Sequence, residues 1–442
     1  MIGSVILALA VGAQAAELSI PHERYTLDNG LEVVLARDTS TPIVHVQVWY
    51  HVGSKDEQAG LTGFAHLFEH LMFNGSLNAP GDYFGPLQAV GADLNGTTNT
   101  DRTNYFETVP SRYLPLALFM ESDRMGHLLE VLDQTKLTNQ QGVVRNERRQ
   151  RYENVPYGEA WVTLGEHLYP EGHPYRHPTI GSHEDLERAR LEDVKDFFRA
   201  WYLPNNASLV VTGDFEPVQA KALIEENFGW IPRGAQPPAR TAAPVVLSAS
   251  DEVVEHDDVP DRKVWLAWHS APLFAPGDAE LDVVASLLCN GPDSRLYEAL
   301  VRTSRVARDV GCYQASRQLG SVFVVSATAS KGHTTAEVVA GIDAVLADLR
   351  AEAAPTAEEV AGAIADYEVG FLQRLQTISG RAGQISTYLH HLGKADAVQT
   401  DLERYTALTP DAVHAVAREV LGAERVVLHI LPTADAPAEG GE

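Results

Sequence analysis

Residues 66–70 read His-Leu-Phe-Glu-His, an H-x-x-E-H pattern whose residue types and spacing could bind and use a metal ion. On a helix, where each residue turns the chain by about 100°, His66, Glu69 and His70 share one arc. The opposite arc is apolar and consists of Phe64, Leu67, Phe68, Leu71 and Met72. Two imidazoles four positions apart can reach one ion, and the glutamate can reach a water on that ion. The motif therefore predicts a metal site with Glu69 as general base.

A catalytic zinc site needs a third protein ligand and an open fourth position. Glu147 is the candidate, because it lies in the charged, helix-prone segment 139–153, and 76 residues separate it from His70. An H-x-x-E-H pattern also arises by chance. An unrelated metalloenzyme therefore stays open as an alternative at this point.

The sequence around the motif, Gly63 to Gly75, together with a later Glu in a Val-Val-x-Asn-Glu context, resembles the pitrilysin/insulinase family of zinc metallopeptidases. This family, the inverzincins, includes the mitochondrial processing peptidase. The similarity extends from about residue 25 to residue 431 and includes segments 52–57, 95–98, 201–206 and 209–214. The resemblance implies a zinc endopeptidase that cuts peptides or unfolded segments. It also implies one zinc ion per chain, bound by His66, His70 and Glu147, with Glu69 as the base.

A Pro- and Ala-rich segment, residues 232–250, divides the chain into two similar halves. Strand-like stretches at 43–50 and 263–268 each precede a helical stretch that ends in Asn-Gly. Shifting the sequence by 216 residues places Asp282 on His66, Ala285 on Glu69 and Ser286 on His70. We therefore expect a zinc-bearing domain at 17–231 and a homologous domain without a metal site at 251–432. The duplication argues against a chance motif.

Each half mixes period-2 strands with longer 3.6-period helices, which predicts an α+β fold. We expect two homologous domains, each an antiparallel-type sheet covered by helices. The family resemblance implies that these domains form a clamshell, in which a peptide is held as an added strand on the edge of the first sheet. Segment 95–105 resembles that edge strand, although a surface loop is an equal alternative. Asn95 and Thr98 are therefore candidate substrate-binding residues.

Two positions depart from the family's pattern. The family usually carries a second glutamate seven residues before the ligand glutamate, where it supports a ligating histidine. This chain has Gln140 there, an uncharged acceptor that would support the imidazole less strongly. The family's full-length enzymes also carry an Arg-x6-Tyr pair that holds the substrate carbonyl. In the corresponding stretch, residues 300–313, no Arg is followed seven residues later by Tyr.

This second departure implies a partner. We expect a heterodimer with a homologous chain that lacks the zinc motif and supplies the Arg-x6-Tyr pair. The alternative is a homo-oligomer, or a local residue such as Arg302 or Arg308 in the same role, so Arg302 is a candidate for substrate binding. An alternative function is a catalytically weak or silent binding or structural subunit, which the intact motif disfavours.

Charge and the N-terminus limit the compartment and the partners. A net charge of −26 and a pI near 5.0 argue against nucleic acid and anionic membrane surfaces as partners. Residues 1–16 contain an apolar stretch too short to span a bilayer, followed by an Ala-x-Ala pattern, so we expect a signal peptide and export to the periplasm. The stretch lacks the usual Lys or Arg at its start. At the other end, we expect residues 433–442 to be a disordered tail.

The remaining candidate ligands have ordinary interpretations. Cys289 and Cys312 lack the spacing of a zinc site or a disulfide framework, and Cys289, in an apolar helical run, is expected to be a buried thiol. Four histidines fall in a Pro-rich region, where packed or solvent-facing imidazoles are more common than metal ligands. They are His167, His173, His177 and His183.

Overall fold

Two β-sheets form the framework of the chain, whose structure, a computed structural model, describes residues 17–351 and 353–436. The expected signal peptide at 1–16 and residues 437–442 of the expected tail lie outside the described residues. The strands are β1 (Glu23–Thr26), β2 (Glu32–Arg37), β3 (Ile43–Tyr50), β4 (Asp93–Thr98), β5 (Thr103–Pro110), β6 (Ala207–Gly213), β7 (Asp251–Asp257), β8 (Lys263–Ser270), β9 (Ala307–Ala315), β10 (Ser321–Ala329) and β11 (Val426–Pro432).

The two sheets have the same topology. The first has the order β1-β2-β6-β3-β5-β4 and the second the order β7-β11-β8-β10-β9. Apart from β1, the strands correspond one to one: β2 runs parallel to β6 as β7 does to β11, and the other pairs are antiparallel. The predicted duplication and the α+β class are therefore confirmed. Each sheet is mixed because the last strand of each half returns beside its first core strand after a long helical connection.

Helices cover both sheets. They are α1 (Phe64–Leu71), α2 (Phe84–Gln88), α3 (Leu114–Val131), α4 (Gln134–Arg148), α5 (Ala160–Leu168), α6 (His183–Arg188), α7 (Leu191–Trp201), α8 (Pro217–Phe228), α9 (Asp278–Cys289), α10 (Thr335–Arg350), α11 (Ala357–Leu375), α12 (Ile378–Leu392), α13 (Val398–Thr406) and α14 (Pro410–Val420). None of the described helices is long and apolar enough to cross a bilayer. Between α8 and β7 the chain is irregular, and this segment contains the expected linker.

Each sheet is buried on both faces, and the second face is covered by the other half of the chain. In β8, Val264 and Leu266 point into the core made with helices of their own half, whereas Trp265 and Ala267 point the other way. That other face packs against α5, a helix of the first half. In return, α12 of the second half packs on β2 and β6 of the first sheet. The halves are therefore joined by a reciprocal exchange of helices.

Two sequence-based expectations need correction. Cys289 and Cys312 are not free thiols, because a disulfide joins the end of α9 to the edge strand β9, with Cα atoms 5.5 Å apart. The two cysteines are 23 positions apart in the sequence, a spacing that does not indicate that folding brings the helix and the strand together. The expected tail begins with a 3-10 turn at Thr433–Asp435, and Asp435 is 2.7 Å from the Arg262 guanidinium.

Candidate metal centre

Helix α1 presents the motif because its N-terminus is fixed. The Glu57 carboxylate accepts hydrogen bonds from the backbone N–H groups of Gly63 and Ala65, at 2.9 and 2.8 Å, which satisfies donors that the helix leaves free. Gly63 adopts φ +90°, and a Cβ there would lie 2.7 Å from the Ile180 carbonyl oxygen. The apolar arc of α1 is buried in the first core, as predicted. Its polar arc faces the end of α4.

The structure brings His66, His70 and Glu147 together. The His70 Nε2 lies 3.1 Å from Glu147 Oε2, and the His66 Nε2 lies 3.8 Å from Glu147 Oε1. Potential ligand atoms of all three residues lie within 4.8 Å of one another. They form the one group of at least three such residues in the part of the chain that the structure describes.

The chemistry of these donors fits a zinc ion. Burial lowers the pKa of His66 to about 4, so its imidazole is neutral at pH 7 and has a lone pair to offer. The hydrogen bond from His70 lowers the pKa of Glu147, which keeps that carboxylate ionised. Two imidazoles and a carboxylate are a common ligand set of catalytic zinc.

Glu69 lies beside this group without belonging to it. Its Oε2 accepts a hydrogen bond of 2.6 Å from the Thr98 hydroxyl, and burial raises its pKa. Thr98 ends strand β4, which is the outermost strand of the first sheet, so the edge-strand interpretation of this segment is confirmed up to Thr98. Gly96 lets β4 approach α1 closely, since a Cβ there would lie 3.1 Å from Glu69 Cγ.

A cavity of about 640 Å³ opens next to Glu69 and His70. The predicted residues Asn95 and Gln140 both contribute to its wall. Gln140 has a different partner from the expected one: its Nε2 donates to Asn74 Oδ1 at 3.0 Å, and Asn74 donates to the His70 carbonyl oxygen at 2.8 Å. Gln140 is thus connected through Asn74 to the backbone at the end of the motif helix rather than to an imidazole.

Arg302 is placed differently from the other candidates. It lies in a π-helical turn, Tyr297–Thr303, and forms ion pairs with Asp293 at 3.1 Å and Glu298 at 3.0 Å. It is absent from the residues that line the cavity at Glu69.

An Arg-x6-Tyr spacing occurs elsewhere in the second half, at Arg381 and Tyr388, outside the stretch considered above. Arg381 forms an ion pair with Asp38, and the Tyr388 hydroxyl donates to Asp401 at 2.9 Å. Both side chains therefore hold α12 in place, and neither lines the cavity at Glu69.

Two neighbours of the site, Arg151 and Glu57, were not predicted from the sequence. Arg151 lies in the π-helical turn Arg149–Glu153 that follows α4, and its Nη1 is 2.9 Å from Glu147 Oε1. The i, i+4 spacing of the two residues was the available signal. Glu57 caps the motif helix through a tertiary contact that spacing does not reveal. The four histidines of the Pro-rich region have other contacts, such as His167 with Asp251 and His183 with Glu153.

Two family models match the chain. One, described as Insulinase (Peptidase family M16), matches residues 32–160, and the other, described as Peptidase M16 inactive domain, matches residues 188–367. The first includes His66, Glu69, His70 and Glu147. The second begins before the linker and covers much of the half that lacks these residues.

Among curated proteins, the chain is similar to zinc protease PqqE of Helicobacter pylori, with 29% identity over 92% of this chain and 90% of that protein. It is also similar to an uncharacterized zinc protease of Streptomyces coelicolor, with 27% identity over 94% of this chain and 90% of that protein. The relatives thus carry the name zinc protease.

Solved structures agree in fold. A protease from Helicobacter pylori superposes with a TM-score of 0.88 at 26% identity, covering 94% of this chain and all of that one. The periplasmic protease PqqL from Escherichia coli has a TM-score of 0.77 at 16% identity, and 94% of this chain corresponds to 49% of PqqL. The expected two-domain clamshell is confirmed by these similarities. The chain belongs to the insulinase family of peptidases, M16.

Proposed function

We propose that this chain is a zinc-dependent endopeptidase that hydrolyses peptides or unfolded segments. The observation that carries the proposal is the convergence of His66, His70 and Glu147 beside Glu69, at the wall of an open cavity. These three residues would hold one zinc ion. When bound, the ion would lower the pKa of a water molecule and polarise a peptide carbonyl.

The residues of this chain supply the proton transfer. Glu69 takes a proton from the attacking water and gives it to the leaving amine. Burial raises its pKa, which makes its carboxylate a stronger base than an exposed one. The Thr98 hydroxyl donates to Oε2 and thereby helps to orient the carboxylate.

The edge of the first sheet supplies the substrate site. Among the described strands, β4 pairs with β5 alone. The backbone N–H and C=O groups on its other edge can therefore pair with an extended peptide. A peptide added as a further strand would lie along the cavity that Glu69, His70 and Asn95 line. We therefore assign substrate binding to Asn95 and Thr98. Arg302 does not line this cavity, so we do not assign it this role.

Export and a partner chain are part of the proposal. The Cys289–Cys312 disulfide supports export, because such bonds persist in oxidising compartments, and PqqL is described as periplasmic. The stretch 300–313 supports a heterodimer with a homologous chain that supplies the Arg-x6-Tyr pair. PqqL, about twice as long as this chain, is a relative in which further sequence is covalently attached.

Metal analysis combined with a peptide digest tests the proposal. We expect Glu69→Gln to reduce cleavage by about 100-fold or more while zinc stays near one per chain, since Glu69 is the base and not a ligand. His66→Ala, His70→Ala and Glu147→Ala should lose the metal and the activity together. Arg302→Ala, in the second half, is the matched control and should change neither. Full zinc occupancy and activity in Glu147→Ala would refute the ligand set.

The same experiment distinguishes an active peptidase from the alternative, a subunit that only binds peptides or has a structural role. A silent binding or structural subunit would bind peptides without cleaving them, and Glu69→Gln would then change nothing measurable. Cleavage that depends on both zinc and Glu69 excludes that alternative.

A further inference from the structure

The outer hairpins of the two sheets meet at one buried side chain, Asp101. It lies in the β4–β5 turn and is 5% exposed. Its Oδ1 accepts a hydrogen bond of 2.6 Å from the Tyr175 hydroxyl, and its Oδ2 accepts one of 3.1 Å from the backbone N–H of Gln318. The Tyr175 hydroxyl in turn accepts from the N–H of Leu319 at 2.9 Å. Gln318 and Leu319 form part of the β9–β10 turn, so Asp101 joins the free edges of both sheets.

The same turn is fixed to the segment that precedes the motif helix. The Lys55 ammonium donates to the Asp101 carbonyl oxygen at 2.9 Å and to Asp56 Oδ2 at 3.0 Å. The Lys55 N–H donates to the Thr100 carbonyl oxygen at 3.0 Å. Gly53 permits this contact, because a Cβ there would lie 2.5 Å from the Thr100 backbone. These contacts hold the two segments against each other.

From these two segments, two short connections reach the site. Glu57, two residues after Lys55, caps the helix that carries His66 and His70. Thr98, three residues before Asp101, donates the hydrogen bond to Glu69. A displacement of the β4–β5 turn would thus shift the edge strand and the motif helix relative to each other.

We propose that Asp101 is a positioning residue, which holds the edge strand β4 and the motif helix in register through its bonds to the second half of the chain. The inference rests on the proposed function, because it concerns a peptide laid along β4. A carboxylate suits the position, since both of its oxygens accept and both neighbours donate. An amide would keep one acceptor for the Gln318 N–H, but it would lose the charge, and its N–H₂ group would force the Tyr175 hydroxyl to accept where it now donates.

The test compares peptide affinity and turnover. We expect Asp101→Asn to raise KM for an extended peptide of roughly ten residues by about tenfold, because neutral hydrogen bonds replace the stronger bonds to a carboxylate. The kcat should change by less than KM, and zinc content should stay at the wild-type value. In a Glu69→Gln background, the Kd of the same peptide, measured by fluorescence, should weaken by a similar factor. Tyr175→Phe, which removes one hydroxyl, should act in the same direction and keeps the test available if Asp101→Asn folds poorly.

The matched control is Asp38→Asn. Asp38 also joins the two halves by an ion pair, with Arg381, but it lies at the opposite end of the first sheet from the β4–β5 turn. It should leave KM and Kd within about twofold of wild type even if it lowers the melting temperature. An unchanged KM and Kd in both Asp101→Asn and Tyr175→Phe, or an equal rise in Asp38→Asn, would overturn the positioning role. A wild-type chain that neither binds zinc nor cleaves peptides would instead refute the proposed function.

Discussion

Buried imidazoles have two uses in this chain. Burial keeps His66 neutral, which suits a metal ligand. The same effect lowers the pKa of His45 and of His51 to about 4, although both lie outside the site. His51 Nδ1 lies 2.6 Å from His390 Nδ1, a contact between the halves that needs one ring to donate and the other to accept. Burial, together with the neighbouring His51, also holds the pKa of His390 well below its ordinary value.

The histidine at position 51 predicts acid sensitivity. Its folded-state pKa of about 4 lies below the ordinary value of about 6.5, so the unfolded chain takes up this proton first as the pH falls. Its contribution to stability is therefore complete above pH 6.5 and is lost between about pH 6.5 and 4. Buried carboxyls with a raised pKa, such as Glu57, act with the opposite sign. The test therefore compares the variant with the wild type, because the carboxyl contributions are the same in both. The urea midpoint of His51→Asn should fall less between pH 7 and pH 5 than that of the wild type. Equal falls would contradict it.

At this scale the proximity of the candidate site residues could be predicted from the sequence, whereas the contacts that support them could not. His66, Glu69 and His70 are close in the chain, so helical geometry alone places them. Glu147 needed the family's spacing. Gln140 was expected to accept a hydrogen bond from an imidazole, but it donates one to Asn74 instead. Side-chain partners of this kind depend on packing, which the sequence pattern does not contain.

Elements whose pattern is local were predicted closely. The strand-like stretch at 43–50 matches β3, and the stretch at 263–268 lies within β8 and begins at the same residue. The Cys289–Cys312 bond was not predicted, because it depends on α9 lying against β9. The partners of α5 and α12 were not predicted either, since each helix packs on a sheet that is remote in sequence.

The disulfide should stabilise the second sheet. It joins the free edge strand β9 to α9, and a loop of 23 positions predicts a contribution of about 3 kcal/mol. We expect Cys289→Ser or Cys312→Ser to lower the free energy of unfolding by about that amount, measured by urea denaturation. Reductant should affect the wild type in the same way and leave either variant unchanged. A wild-type midpoint insensitive to reductant would show that the bond contributes no stability.

At the scale of the whole molecule, one half carries the candidate chemistry, and the residues that line the cavity at Glu69 also belong to that half. The stretch 300–313 lacks the Arg-x6-Tyr pair, and the pair at 381 and 388 holds α12 instead. The group expected to hold a substrate carbonyl must then come from elsewhere.

We therefore expect low turnover by the isolated chain. Addition of a homologous chain that lacks H-x-x-E-H and carries the Arg-x6-Tyr pair should raise kcat/KM by about tenfold or more, because it supplies a hydrogen-bonding clamp. Peptide turnover with and without the partner, together with the mass of the assembly from light scattering, measures this. The Glu69→Gln chain mixed with the same partner is the control and should stay inactive. Full activity of the isolated chain, unchanged on mixing, would refute the divided site.

The exchange of α5 and α12 carries a consequence for the origin of the chain. A single ancestral copy would have exposed one apolar face of its sheet, the face to which Val34 and Val210 contribute in the first half. Two separate copies could have formed a two-fold symmetric pair, in which the equivalent helix of each copy covered the apolar face of the other. Fusion through residues 232–250 would then have made the pairing independent of protein concentration. In a fused chain, a copy that lacks the ligands is always accompanied by the copy that carries them.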